Sequence, residues 1–204
     1  MNNQKKNTDD RRVRRTKKLL KDSLAALLME KNLNDISVKE IVDLADINRG
    51  TFYLHYRDIY DMLNQIENEM ILDLDEIADK YPSLVLKGAP KPYIQDVFEY
   101  IKENGQFCAM LLGPYGDMAF VEKLKKMVEE RCFWSIMEAM PENELKSYQL
   151  FAAYTVSGCI GLLQNWMDNG MKMTPEELAQ VANDMIQNGI DFLHQTPKQT
   201  KVRT

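Results

Sequence analysis

The chain has 204 residues, 45% of them hydrophobic, and a formal net charge of −5; that is enough apolar material for a sizeable core and excludes a disordered chain. No run reaches the ~20 apolar residues of a membrane span, and the opening MNNQKKNTDD lacks a secretion-type apolar stretch, so a cytoplasmic protein without a membrane partner is expected. The charge is uneven: residues 1–57 hold 13 Lys+Arg against 8 Asp+Glu, net +5, whereas residues 58–204 hold 13 against 23, net −10, which makes the amino-terminal part the nucleic-acid end.

In chain order, residues 1–8 read as a polar, disordered lead. The first helix then follows, with Leu20, Leu24, Leu27 and Leu28 at helical spacing and Arg11, Arg12, Arg14, Arg15, Lys17 and Lys18 in its first turns. Basic residues at a helix start oppose the helix dipole, so this cluster reads as an arm for phosphates or the minor groove. Residues 37–56, SVKEIVDLADINRGTFYLHY, are written as two short helices at a tight turn. Ser37 and Glu40 form a capping box with Ile36 and Ile41 as its staple, and Asp46 takes the left-handed turn. Asn48 caps the second helix, with Ile47 and Phe52 as another staple; Phe52 and Tyr56 face inward and Arg49, Gly50, Thr51, Tyr53, Leu54 and His55 face out. This is a helix-turn-helix with an aromatic and polar reading surface, a shape that enters a major groove.

From Arg57-Asp58 a connecting helix is expected to run to about Asp79, through Ile59, Met62, Leu63, Ile66, Met70, Leu74 and Ile77. The proline-rich residues 81–92 break it. Further helices are expected over 93–104 (stopped by Gly105), over QFCAMLL (stopped by Gly113-Pro114-Tyr115-Gly116), over 118–140 (stopped by Pro141), over 144–169 (capped by Gly170), and from Thr174-Pro175-Glu176-Glu177 onward. No segment alternates with period two, so no sheet is expected. Residues 195–204 read as a flexible tail. On the last two helices Tyr154, Gly158, Gly161 and Asn165, and Leu178, Val181, Met185, Gly189 and Phe192, fall on stripes that let another helix approach.

Nothing points to catalysis, a cofactor or a metal. The two histidines, His55 and His194, cannot build a triad or a metal site, and Cys108, Cys132 and Cys159 are widely spaced in apolar helices, so they read as small buried hydrophobes. There is no phosphate-cradling loop, Cys-x-x-Cys pair or Gly-x-Ser-x-Gly elbow. The carboxy-terminal part is rich in Met and aromatic side chains, which suit a helical core and equally a pocket for a small apolar or aromatic ligand. Phe98, Phe107, Met110, Phe120, Met127, Trp134, Met137, Tyr154 and Trp166 are its candidate lining.

Over Ser37, Ile41-Val42, Ala45-Asp46-Ile47-Asn48, Gly50-Thr51-Phe52-Tyr53 and His55-Tyr56 the chain resembles the head of the tetracycline-repressor (TetR) family of bacterial transcriptional regulators. Asp46 stands where that family usually has Gly, and Ile59 where it usually has a phosphate-contacting Lys. A looser likeness to a TetR-type regulatory domain runs through Phe98, Tyr100-Ile101, Glu103-Asn104, Gly158, Gly161, Trp166 and Pro175-Glu176-Glu177-Leu178. The resemblance implies an all-α fold: a three-helix head at 9–56, a connecting helix at 57–79, and a ligand-sensing and dimerisation body at 80–194. It also implies a homodimeric, ligand-responsive repressor of double-stranded DNA that is not an enzyme, with dimer contacts from Tyr154, Gly158, Gly161, Asn165, Val181, Met185, Gly189 and Phe192. Arg49 and then Lys39 are the candidates for base readout. Ser37, Thr51, Tyr53 and His55 would clamp phosphates, Asn48 caps the reading helix, Gly50 allows close approach, and Leu54 meets a thymine methyl. A partner-binding adaptor with weak or no DNA binding is the alternative.

Overall fold

The computed structural model describes residues 2–81, 90–113, 118–133 and 141–195, with side chains from residue 11 onward except at 143 and 190–195. Among the described residues the chain is helical without strands: α1 (Asn2–Leu28), α2 (Val38–Leu44), α3 (Arg49–Tyr53), α4 (Ile59–Asp79), α5 (Lys91–Glu103), α6 (Gly105–Leu112), α7 (Met118–Cys132), α8 (Glu142–Asp168) and α9 (Pro175–Gln195), with a 3-10 turn at Leu33–Asp35. Gln195, the first residue of the expected tail, closes α9; the rest of that tail, the residues between 81 and 90, the Pro114–Gly116 turn and the end of the helix expected to reach 140 lie outside the described residues.

Two expectations are corrected. The helix does not begin after a disordered lead but at Asn2. Residues 2–10 contain no Gly or Pro, and extending a helix already nucleated downstream costs little. The basic cluster at 11–18 therefore sits in mid-helix, where the dipole argument no longer applies. Gly105 does not merely end α5: it is buried and opens α6, with Asn104 between the two helices.

The chain divides into two compact units, Met1–Asp73 with Asn104–Val121, and Leu74–Glu103 with Glu122–Thr204. In the first unit α2 packs on both α1 and α3, and α6 packs on α1. Its core holds Leu20, Leu24, Ile41, Phe52, Tyr56, Met62, Ile66, Met70, Leu111 and Phe120, each at most 2% exposed. Burying each such side chain is worth ~1.5–3 kcal/mol, which is how a five-residue α3 is held without helical stability of its own. Lys17 and Lys21 of α1 both reach Glu69 of α4 at the edge of that core.

In the second unit α9 packs on α5 and α8. Phe98, Ile101, Leu124, Phe133, Val156, Leu163, Trp166, Leu178 and Ala179 are buried there. A Cβ on Gly189 would lie 2.7 Å from Phe151 Cε2, so the missing side chain lets α8 and α9 close on each other within the chain. Arg131 of α7 clamps the last turns of α4, bonding Asp75 through Nε and Nη2 at 2.6 Å each and Asp79 through Nη1 at 3.1 Å.

Candidate functional site

The reading helix is positioned by local chemistry that the residues dictate. Ser37 Oγ accepts from Glu40 N at 3.3 Å while Glu40 Oε2 accepts from Ser37 N at 2.9 Å and Ser37 Oγ at 2.8 Å, a complete capping box. Lys31 Nζ donates to the same carboxylate, and these bonds, Lys31 first, hold Glu40 down to about 2 from an ordinary 4.5. At the far end of α2, Asp46 N donates to Asp43 O (3.3 Å) and Ile47 N to Val42 O (2.9 Å), a Schellman ending with Asp46 at φ 52 in the left-handed position. Asn48 Oδ1 then accepts from Gly50 N at 2.7 Å and starts α3.

With the turn so set, Phe52 and Tyr56 are buried at 0% and 2%. Lys39, Asn48, Arg49, Gly50, Tyr53 and Leu54 are exposed, Leu54 at 80%, and Thr51 and His55 are half-buried. The expected outward set is thus brought together on one surface. Two of its members are already coupled: Arg49 Nη2 donates to Tyr53 Oη at 3.2 Å, and the guanidinium carbon lies 5.7 Å from that ring's centre. Ser37, by contrast, has its hydroxyl engaged in the box. Partial burial, and then the nearby Lys17 charge, lower the pKa of His55, which favours a neutral imidazole. Ile59 is buried at 8% as the first residue of α4, so it belongs to the core. Its neighbour Tyr60 is 60% exposed and donates to Asn34 Oδ1 at 2.7 Å.

The second unit holds an apolar cavity of about 120 Å³ between α4, α5, α7, α8 and α9. Of the candidate lining, Phe98 and Met127 face it. Trp166 does not: it stacks behind Phe98 with ring centres 6.0 Å apart and donates to Met173 O at 3.0 Å. Phe107, Met110 and Phe120 belong to the first unit, two of them in its core, because α6 and the start of α7 pack there. Tyr154 is 77% exposed, being one residue, or ~100° of helical rotation, away from the lining residue Thr155. Trp134, Met137 and the side chain of Phe192 lie outside the described residues. Sequence reasoning missed Tyr93, Cys132, Tyr148, Thr155 and Cys159 as lining residues. The signal was available in part, since Phe151, Thr155, Cys159 and Leu163 recur every fourth residue on the face of α8 away from the small-residue stripe. Burial pushes the thiols up, Cys108 to about 12 and Cys132 and Cys159 each to about 11, so all three are protonated at neutral pH.

The stripe itself points outward: Leu150 at 66% and Tyr154 at 77% are exposed, as are Gly158, Gly161 and Asn165, and a Cβ on either glycine would meet nothing within 4 Å. On α9, Met185 is 59% exposed, Val181 is half-buried, and Gly189 faces Phe151 of its own chain. Residues 88–188, which carry most of this body, match the TetR C-terminal family described as "Transcriptional regulator C-terminal region". The chain belongs to the TetR family of transcriptional regulators.

Three further likenesses each cover more than four-fifths of the chain. The uncharacterized HTH-type transcriptional regulator YxbF of Bacillus subtilis (strain 168) is 27% identical over 186 residues, covering 84% of this chain and 44% of that protein. The chain therefore spans less than half the length of this curated relative. Among solved structures, a TetR transcriptional regulator from Streptococcus agalactiae 2603V superposes with a TM-score of 0.56 at 22% identity, covering 88% of this chain and 97% of that one. The fatty acid degradation regulator FadR of Bacillus halodurans reaches a TM-score of 0.60 at 15% identity, over 86% of this chain and 96% of that one. These structures share the TetR fold. TetR regulators are not enzymes, and among the described residues no helix is long and apolar enough to cross a membrane.

Proposed function

We propose that this TetR-family chain is a ligand-responsive repressor that binds a palindromic DNA operator as a homodimer. The observation that carries the reading is the exposed face of α3, where Arg49, Tyr53 and Leu54 stand free of the core that Phe52 and Tyr56 anchor. Arg49 supplies forked donors suited to a guanine edge, Lys39 a second cation at the start of α2, and Leu54 an apolar contact for a thymine methyl. Tyr53, Thr51 and His55 contact phosphate, with the basic residues of α1 adding salt-sensitive affinity. On binding, Arg49 exchanges its bond to Tyr53 for a base, which frees the phenol for phosphate.

A second copy meets the outward stripe of α8, Tyr154, Gly158, Gly161 and Asn165, together with Met185 of α9. Two-fold symmetry then presents two reading helices at a spacing of ~34 Å, one turn of the duplex. An effector in the apolar cavity favours a different spacing and releases DNA, because α4 both lines the cavity through Leu74 and begins beside the reading helix. The test is a titration on an operator selected from random duplexes. Arg49→Ala costs ~1–3 kcal/mol and relaxes preference at one base pair, whereas Tyr53→Phe weakens all sequences alike. Unchanged affinity and preference in Arg49→Ala would overturn the orientation.

The buried Ile59 in place of a phosphate-binding Lys favours a second reading, a partner-binding adaptor with weak DNA binding. A gel shift against the protein's own upstream DNA separates the two.

A further inference from the structure

We propose that the cavity of the second unit takes an uncharged, largely hydrocarbon molecule of about one ring's size, carrying a single hydrogen-bonding oxygen that seats on Thr155 Oγ1. The proposal rests on the ligand-responsive reading above and narrows its effector to a chemical class, such as a small alcohol, phenol, ketone or ester.

Size comes first. A cavity of about 120 Å³ is slightly smaller than the ~150 Å³ apolar cavity that holds a benzene ring. Charge comes second: none of the lining side chains is ionic. A carboxylate or ammonium placed there would lose its hydration without a counter-charge, a loss too large for a small ligand's contacts to offset. The lining thiols and Tyr93 stay neutral for the same reason, since burial pushes Cys132 and Cys159 to about 11 and raises Tyr93 further.

The polar handle comes third. Most of the wall is hydrocarbon, contributed by Ile94, Phe98, Leu124, Val156 and Leu163 among others. Three lining side chains carry a hydroxyl: Tyr93, Tyr148 and Thr155. The two phenols are half-buried, Tyr93 beside the Cys132 thiol and Tyr148 packed against Phe133 and Phe151. Thr155 is 8% exposed, and among the described residues no hydrogen bond engages its hydroxyl. Cys159, one turn along the same face of α8, places a weakly polar thiol beside it. A hydroxyl on an otherwise hydrocarbon wall has few competing partners, so a ligand oxygen that accepts from it or donates to it gains a hydrogen bond there. The cavity therefore selects for one oxygen and against a formal charge.

The experiment uses the full chain without DNA and four matched probes, toluene, benzyl alcohol, benzoate and benzylamine, followed by calorimetry and by the NMR shift of the Met127 methyl, which faces the cavity. Benzyl alcohol should bind about 3- to 10-fold tighter than toluene, the value of one hydrogen bond, and the two ions should leave the Met127 methyl unmoved. Thr155→Val, close to threonine in shape, should erase the alcohol's advantage with toluene binding retained, and Thr155→Ser should keep it. Equal or better binding of either ion at Met127, no shift with any probe, or an alcohol-to-toluene ratio unaffected by Thr155→Val would each overturn the proposal. If a Thr155 variant does not fold, the ranking of the four probes on the unmodified chain decides. The parent reading fails separately: the probe ranking would hold while benzyl alcohol leaves operator affinity unchanged.

Discussion

Glu40 is the residue on which the entry to the helix-turn-helix depends most, because three donors from Lys31 and Ser37 converge on one carboxylate at the protein surface. Its folded value of about 2 lies below the ordinary 4.5. The stabilisation is therefore fully present above 4.5 and is lost as pH falls through about 2. A series of thermal melts from neutral pH into this acid window should show the midpoint falling. Glu40→Gln should melt lower at neutral pH and lose part of that acid dependence. Both Ser37 and Glu40 were legible as a box from their spacing alone, since the bonds span three residues. Lys31 was not, because its bond to Glu40 crosses the 3-10 turn, whose path no local pattern specifies. The Arg49–Tyr53 bond lies between these cases: i,i+4 spacing on a helix predicts proximity, and only the side-chain geometry shows the phenol accepting from the guanidinium.

At the scale of elements, the two Schellman endings decide where helices stop. α2 ends on Asp46 at φ 52, and α8 ends on Gly170 at φ 74, with Gly170 N donating to Met167 O at 2.9 Å and Met171 N to Trp166 O at 2.8 Å. Glycine adopts such angles freely, while other L-residues lose ~1 kcal/mol. Gly170→Ala should therefore cost about 1 kcal/mol in urea unfolding, although open space surrounds the added methyl. Asp46→Gly should move the other way by ~0.5 kcal/mol, the relief of strain being partly offset by the flexibility of glycine in the unfolded chain. These stops were readable because turn chemistry is local. The start of α1 was not, because polar residues alone mark neither a boundary nor its absence.

For the whole molecule, the outward stripe of α8 is the feature with the largest consequence. Leu150 and Tyr154 are large, exposed and aligned with two glycines whose faces are open. Covering them with a second copy hides apolar area and admits close helix contact. Under the proposed homodimer, Tyr154→Glu should sediment as a monomer, keep its helical circular dichroism, and weaken binding to a selected operator by at least ~10-fold through loss of the second reading helix. An unaltered sedimentation coefficient would remove α8 from the interface.

The sequence by itself determined the helical class, the two caps and turn of the reading motif, the inward pair Phe52 and Tyr56, and the charge asymmetry of the chain. All of these rest on bonds or periodicities within a few residues. Tertiary structure alone decided that α6 packs on α1 in the first unit, which removes Phe107, Met110 and Phe120 from the cavity wall. It also decided that Thr155, rather than its neighbour Tyr154, faces the cavity. Amphipathic spacing tells a helix which side to bury. It does not say against which partner, because that choice is made by shape complementarity between segments far apart in the chain.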